Sequence, residues 1–103
     1  MNFGHARTLA NAGLFSEALV VLRDCSIPRE DRLSAEVLRT ELLERTGKYT
    51  EAGERADALL KSRNITETHR SGCYLTLGRI AAEGGRFDDA VAHLQRARTI
   101  ALL

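Results

Sequence analysis

The residues of this chain that could do chemistry are few and scattered. Asp88-Asp89 is an adjacent pair of carboxylates, the kind of group from which general acid–base catalysis is built. His5, His69 and His93 are far apart, and no two are spaced to make a helical metal pair. Cys25 and Cys73 are separated by 48 positions and form no C-x-x-C motif, so neither a zinc knuckle nor a redox dithiol is encoded. Gly84-Gly85 lacks the Lys-Ser/Thr that completes a phosphate cradle. Asp88 and Asp89 are already explained as a helix cap and a first-turn acid. The histidines read as surface residues. Cys25 reads as a small packing residue, and Cys73 adjoins Gly72 on a helix. No nucleophile, base and orienting group can be assembled. The expectation is a chain that is not an enzyme and uses neither metal nor cofactor.

Composition narrows the partners. Fifteen basic and 14 acidic residues leave a net charge of +1. That balance supplies no general field for nucleic acid or for an anionic membrane. The basic residues are mostly arginine, with only Lys48 and Lys61 as lysines. Hydrophobic residues make up 44% of the 103, enough for one core and one domain, 1–103. One proline and eight glycines argue against an all-β fold rich in tight turns. No apolar stretch has the length of a signal or membrane segment, so a soluble cytoplasmic protein with reduced thiols is expected.

The elements that position these residues announce themselves as a repeat. Gly13-Leu14-Phe15-Ser16-Glu17-Ala18, Gly47-Lys48-Tyr49-Thr50-Glu51-Ala52 and Gly85-Arg86-Phe87-Asp88-Asp89-Ala90 align without a gap, at spacings of 34 and 38. Glycine permits the positive φ that ends a helix. The aromatic can wedge between helices. Ser16, Thr50 and Asp88 are good caps for the next helix, and Glu17, Glu51 and Asp89 suit its first turn. Ala18, Ala52 and Ala90 allow close helix approach. Apolar or small residues follow at helical spacing: Leu22 and Cys25, Ala56 and Leu59, Leu94 and Ala97. Apolar stripes also precede each glycine. The pattern predicts six helices, roughly 3–12, 16–25, 30–45, 50–62, 67–83 and 88–102. Ile27-Pro28 divides the first two hairpins, and Ser62-Arg63-Asn64 the second and third, with Thr66 or Thr68 as cap. The four extra residues of the longer spacing are expected to add one turn at the start of the fifth helix.

These features resemble the tetratricopeptide repeat. The third repeat carries Tyr74, Leu77, Gly78, Gly85, Phe87, Ala90, Leu94 and Ala97 where that family's pattern wants them. The first carries Ala6, Leu9, Gly13, Phe15, Ala18 and Leu22. The second carries Leu43, Gly47, Tyr49 and Ala52, but Arg39-Thr40 stand in its Leu-Gly positions. The resemblance implies an all-α, right-handed superhelical stack of antiparallel helix pairs. Its repeats would span about 1–27, 28–63 and 64–103. It also implies a protein-binding scaffold that takes a peptide or partner segment in a concave groove lined by the first helix of each repeat. Carried over by register, the groove residues are Phe3, Arg7 and Asn11, then Ser34, Val37, Leu38, Glu41 and Arg45, then Leu75, Thr76, Arg79 and Glu83. The Lys/Asn clamp with which one subfamily holds a C-terminal carboxylate is not matched. An alternative function is a regulatory or oligomerisation segment of a larger protein, such as a bacterial transcription regulator or signalling ATPase. Both ends stop short of the full pattern, and Thr99–Leu103 is largely apolar, so a missing neighbour or self-association through this end is expected.

Overall fold

The computed structural model describes residues 2–102, which form six α-helices. These are α1 (Phe3–Asn11), α2 (Phe15–Asp24), α3 (Arg32–Arg45), α4 (Tyr49–Leu60), α5 (Glu67–Glu83) and α6 (Phe87–Ala101). A single 3₁₀ turn, Arg29–Asp31, leads into α3. None of the described helices is long and apolar enough to cross a membrane.

Gly13, Gly47 and Gly85 have φ of 81°, 85° and 77°, the only positive values among the described residues. Each turn is closed by the same pair of backbone bonds. The glycine N–H donates to the carbonyl three residues back, and the next N–H donates to the carbonyl five back. Leu14 N to Leu9 O, Lys48 N to Leu43 O and Arg86 N to Ala81 O measure 2.9, 2.8 and 2.8 Å. This double closure satisfies carbonyls that a helix end leaves bare.

The helices after these turns begin earlier than the sequence suggests. Phe15, Tyr49 and Phe87 are their first residues, and Leu14, Lys48 and Arg86 occupy the cap position without a side-chain bond. Ser16, Thr50 and Asp88 therefore lie inside the first turn. The closed glycine turn delivers the chain directly into helical geometry, leaving no need for a side-chain cap. The first-turn acids are Glu17, Glu51, Asp88 and Asp89. True side-chain caps occur where no glycine turn precedes. Asn2 accepts from the His5 N–H at 2.9 Å, and Thr66 from the His69 N–H at 3.2 Å.

Thr66 also explains why α5 starts as a full α-helix. Pro28, its counterpart before α3, offers no acceptor side chain, and that helix opens with a 3₁₀ turn. Counting the 3₁₀ turn, the two lead helices have equal length, 29–45 and 67–83. The four extra residues of the 38 spacing lie elsewhere. Helix α4 has 12 residues against 10 in α2, and its linker, 61–66, is two longer than 25–28.

Contacts run along the chain. Pairs α1–α2, α3–α4 and α5–α6 pack together, α2–α3 and α4–α5 join them, and α3 also touches α1 and α5. The molecule measures 40 × 27 × 22 Å. The core is a thin layer. Ala18, Ala52 and Ala90 are buried, and Leu22 and Leu42 are the largest wholly buried apolar side chains among the described residues. Burying each of those two leucines stabilises the fold by about 1.5–3 kcal/mol.

The second repeat replaces glycine by threonine without losing its packing. In the third repeat a Cβ on Gly78 would lie 2.8 Å from Leu94, so a small residue on α5 accommodates a large one on α6. The matching positions in the second repeat hold Thr40 and Ala56, with the sizes exchanged, and both are buried. The Thr40 hydroxyl donates to Glu36 O at 2.8 Å, which satisfies it inside its own helix.

Candidate functional site

The first helices of the three hairpins meet around a cleft of about 230 Å³ lined by Arg7, Ser34, Val37, Leu38, Glu41, Thr68 and His69. Helix α1 supplies Arg7, α3 the next four and the start of α5 the last two. Gly72 allows α5 to come close to α3. A Cβ there would sit 3.2 Å from Val37 Cγ1 and 3.4 Å from Glu41 Oε1.

His69 ties the cleft together. Its Nε2 lies 2.9 Å from Ser34 Oγ, and its Nδ1 2.9 Å from Thr66 Oγ1. Thr66 Oγ1 already accepts the His69 backbone N–H, so its own proton can go to Nδ1. Nε2 then carries the ring proton and donates to Ser34, an arrangement that satisfies every partner. His69 and His93 are half-buried, not surface residues as expected, and His93 stacks on Tyr74 with ring centres 6.2 Å apart. Cys25, expected to be buried, is half-buried at the end of α2.

Charge around the cleft is mixed. Burial holds the Glu41 carboxyl above its ordinary range. The Arg79 and Arg45 guanidiniums oppose that shift, and the Glu44 carboxylate adds to it. Arg79 Nη1 lies 3.7 Å from the buried Glu44 Oε1, which has no hydrogen-bond partner. Burial, then the Glu41 charge, push the Cys73 thiol up to about 11.

The twelve groove residues expected from register separate into groups. Arg7, Ser34, Val37, Leu38 and Glu41 share the cleft. Phe3, Val37 and Thr76 are buried, and Phe3 and Val37 belong to the core clusters, so little of these three side chains is left to meet a partner. The Arg45 guanidinium covers the Phe15 ring at 5.7 Å, so it serves the α2–α3 junction. Glu83 lines a different cleft, beside α4 and α6. Arg79 is half-buried, while Asn11 and Leu75 are exposed; none of the three lines this cleft. Sequence reasoning missed Thr68 and His69. The signal was the Thr66-x-x-His69 spacing, which places the histidine one turn inside a capped helix.

Two larger clefts, of about 470 and 520 Å³, lie beside the second helices. They stand in the same repeat positions: Ser16, Leu19, Leu43 and Glu51 in one correspond to Thr50, Gly53, Ala81 and Asp89 in the other. Their charges are opposite. The first holds Arg23, Arg39, Lys48 and Arg55 with Glu51, and Arg39 and Arg55 both lean on Glu36. The second holds Glu54, Asp57, Glu83 and Asp89 with Arg86.

No family model, curated protein or solved structure matches the chain significantly. Among the described residues no three of His, Cys, Asp and Glu are grouped so as to hold a metal ion.

Proposed function

We propose that this chain is a tetratricopeptide-type stack of three helical hairpins. In this reading it is a non-catalytic scaffold that acts in the cytoplasm and holds an extended segment of another protein along α1, α3 and α5. The observation that carries the reading is the cleft where those three helices meet. Its lining combines an apolar side chain, Leu38, with the cation Arg7, the carboxyl group of Glu41 and the hydroxyl of Ser34. That set suits a peptide with an apolar residue flanked by an acid and a base, each held by charge-assisted bonds. The triple glycine turn and the matching clefts beside the second helices support the repeat architecture.

The test is selection from a random peptide library, followed by titration of the selected peptides. Arg7→Glu should weaken binding at least tenfold for peptides with an acid opposite it, about 1.4 kcal/mol. Selected peptides that bind the variant as well as the parent would sink the groove assignment. The second reading, a regulatory or oligomerisation segment of a larger protein, is favoured by one observation: Phe87, Val91 and Leu94 are exposed along α6.

A further inference from the structure

Inside the chain, the second helix of one hairpin receives the first helix of the next in a fixed register. Phe15 at the start of α2 lies under Arg45 at the end of α3, so the two helices run antiparallel. One junction later, a Cβ on Gly53 of α4 would lie 3.8 Å from Ile80 of α5, which is the same register within one residue. The receiving stripe of α2 is Phe15, Leu19 and Leu22, and Leu22 is 2% exposed. The equivalent stripe of α6 is Phe87, Val91 and Leu94, which are 68%, 53% and 39% exposed. Among the described residues, helix α6 packs extensively only on α5. The face that is covered at two junctions is open at the third.

From α3, Arg45 covers Phe15, and Leu42 and Leu38 pack in the core cluster that holds Leu22, so an arginine is joined by apolar residues three and seven positions earlier. Helix α6 carries that pattern too: Arg98, then Leu94 and Val91, four and seven earlier. On a helix these positions share one stripe with Phe87. The same face therefore holds both the receiving surface and the inserted surface. A surface complementary to itself closes about a two-fold axis.

We infer that α6 pairs antiparallel with α6 of a second copy of this chain. Phe87 of each lies under Arg98 of the other, and Val91 of each lies against Leu94 of the other. Arginine over an aromatic ring is used three times within the described chain, by Arg7 on Phe3, Arg45 on Phe15 and Arg96 on Tyr74. The contact is one pair of 15-residue helices, about 22 Å long. It falls at the small end of specific interfaces, under about 1,200 Å² in total, so the dimer dissociates on dilution. The inference does not rest on peptide binding, because the proposed groove lies on α1, α3 and α5.

The experiment is sedimentation equilibrium from low micromolar to millimolar concentration. The parent mass should rise from 11.4 kDa towards twice that value. Phe87→Arg and Arg98→Glu change exposed side chains, so each variant should keep the parent circular-dichroism spectrum. Each alone should stay monomeric, since Phe87→Arg sets like charges together and Arg98→Glu sets a carboxylate over a ring. Mixed in equal amounts, they should form a dimer again, with one native pair and one salt bridge. A parent that stays at 11.4 kDa throughout, a Phe87→Arg variant that still dimerises, or a mixture that stays monomeric would overturn the inference.

Discussion

Replacing Gly78 by alanine sets two effects of opposite sign against each other. In the middle of α5, alanine gains about 1 kcal/mol over glycine from backbone entropy. The new Cβ, however, would stand 2.8 Å from both Cγ and Cδ2 of Leu94 and 3.4 Å from Ala90 O. Overpacking of this kind costs about 1–3 kcal/mol. Gly78→Ala should therefore be neutral or destabilise by up to about 2 kcal/mol. In a Leu94→Ala background the obstruction is gone, and the same substitution should stabilise by about 1 kcal/mol. Thermal unfolding of the four proteins, at dilute concentration, completes the double-mutant cycle. One kcal/mol corresponds to about 4–8 °C for a domain near this size, so the change of sign is measurable. If Gly78→Ala raises the melting temperature equally with leucine or alanine at 94, α5 and α6 do not approach this closely and the reasoning fails.

Three other outcomes are expected. Thr66→Ala should cost about 1 kcal/mol in urea unfolding, because it removes the cap of α5; an unchanged midpoint would contradict the cap. Cys73 is buried with its thiol at about 11 while Cys25 is half-buried, so at pH 8 a thiol reagent should modify Cys25 first and Cys73 only on unfolding; equal rates would refute this. For Glu41 the folded state holds its proton to higher pH than the unfolded chain, so stability should fall as pH rises from 4.5 through the raised value. Glu41→Gln should flatten that slope and be no less stable at neutral pH; an unaltered slope would show that another group causes it.

The parts of the fold that follow from local chemistry were legible in the residues. A glycine at positive φ is a backbone requirement, and its recurrence at 13, 47 and 85 marked every hairpin turn. The caps at Ser16, Thr50 and Asp88 were misread because a good capping residue does not show whether the preceding turn has already satisfied the backbone. The four extra residues were misplaced because an extension of α4 and one of α5 change the spacing of the glycines identically. Thr40 looks like a break in the pattern until its partner position, Ala56, is seen to leave the room that the larger side chain needs. At the site, register brought five expected residues to one cleft. It could not show that Phe3, Val37 and Thr76 are buried, since that depends on how neighbouring helices lean on one another. His69 escaped notice because its importance comes from a hydroxyl 35 positions away, on Ser34.

The two matching clefts of opposite charge have a consequence that reaches beyond contact. They belong to successive junctions of an elongated body, one between α2 and the second hairpin, the next between α4 and the third. The nearly neutral chain therefore presents two local fields, cationic at the first junction and anionic at the second. A partner that carries both charges is drawn with its cationic segment towards the second junction and its anionic segment towards the first. That preorientation raises encounter rates without adding a bond, and salt abolishes it once the Debye length falls well below the molecular dimensions, to about 8 Å at physiological ionic strength. Exchange of Arg23 for aspartate, the residue that the second cleft has at the same position, would weaken this polarity while leaving every helix in place.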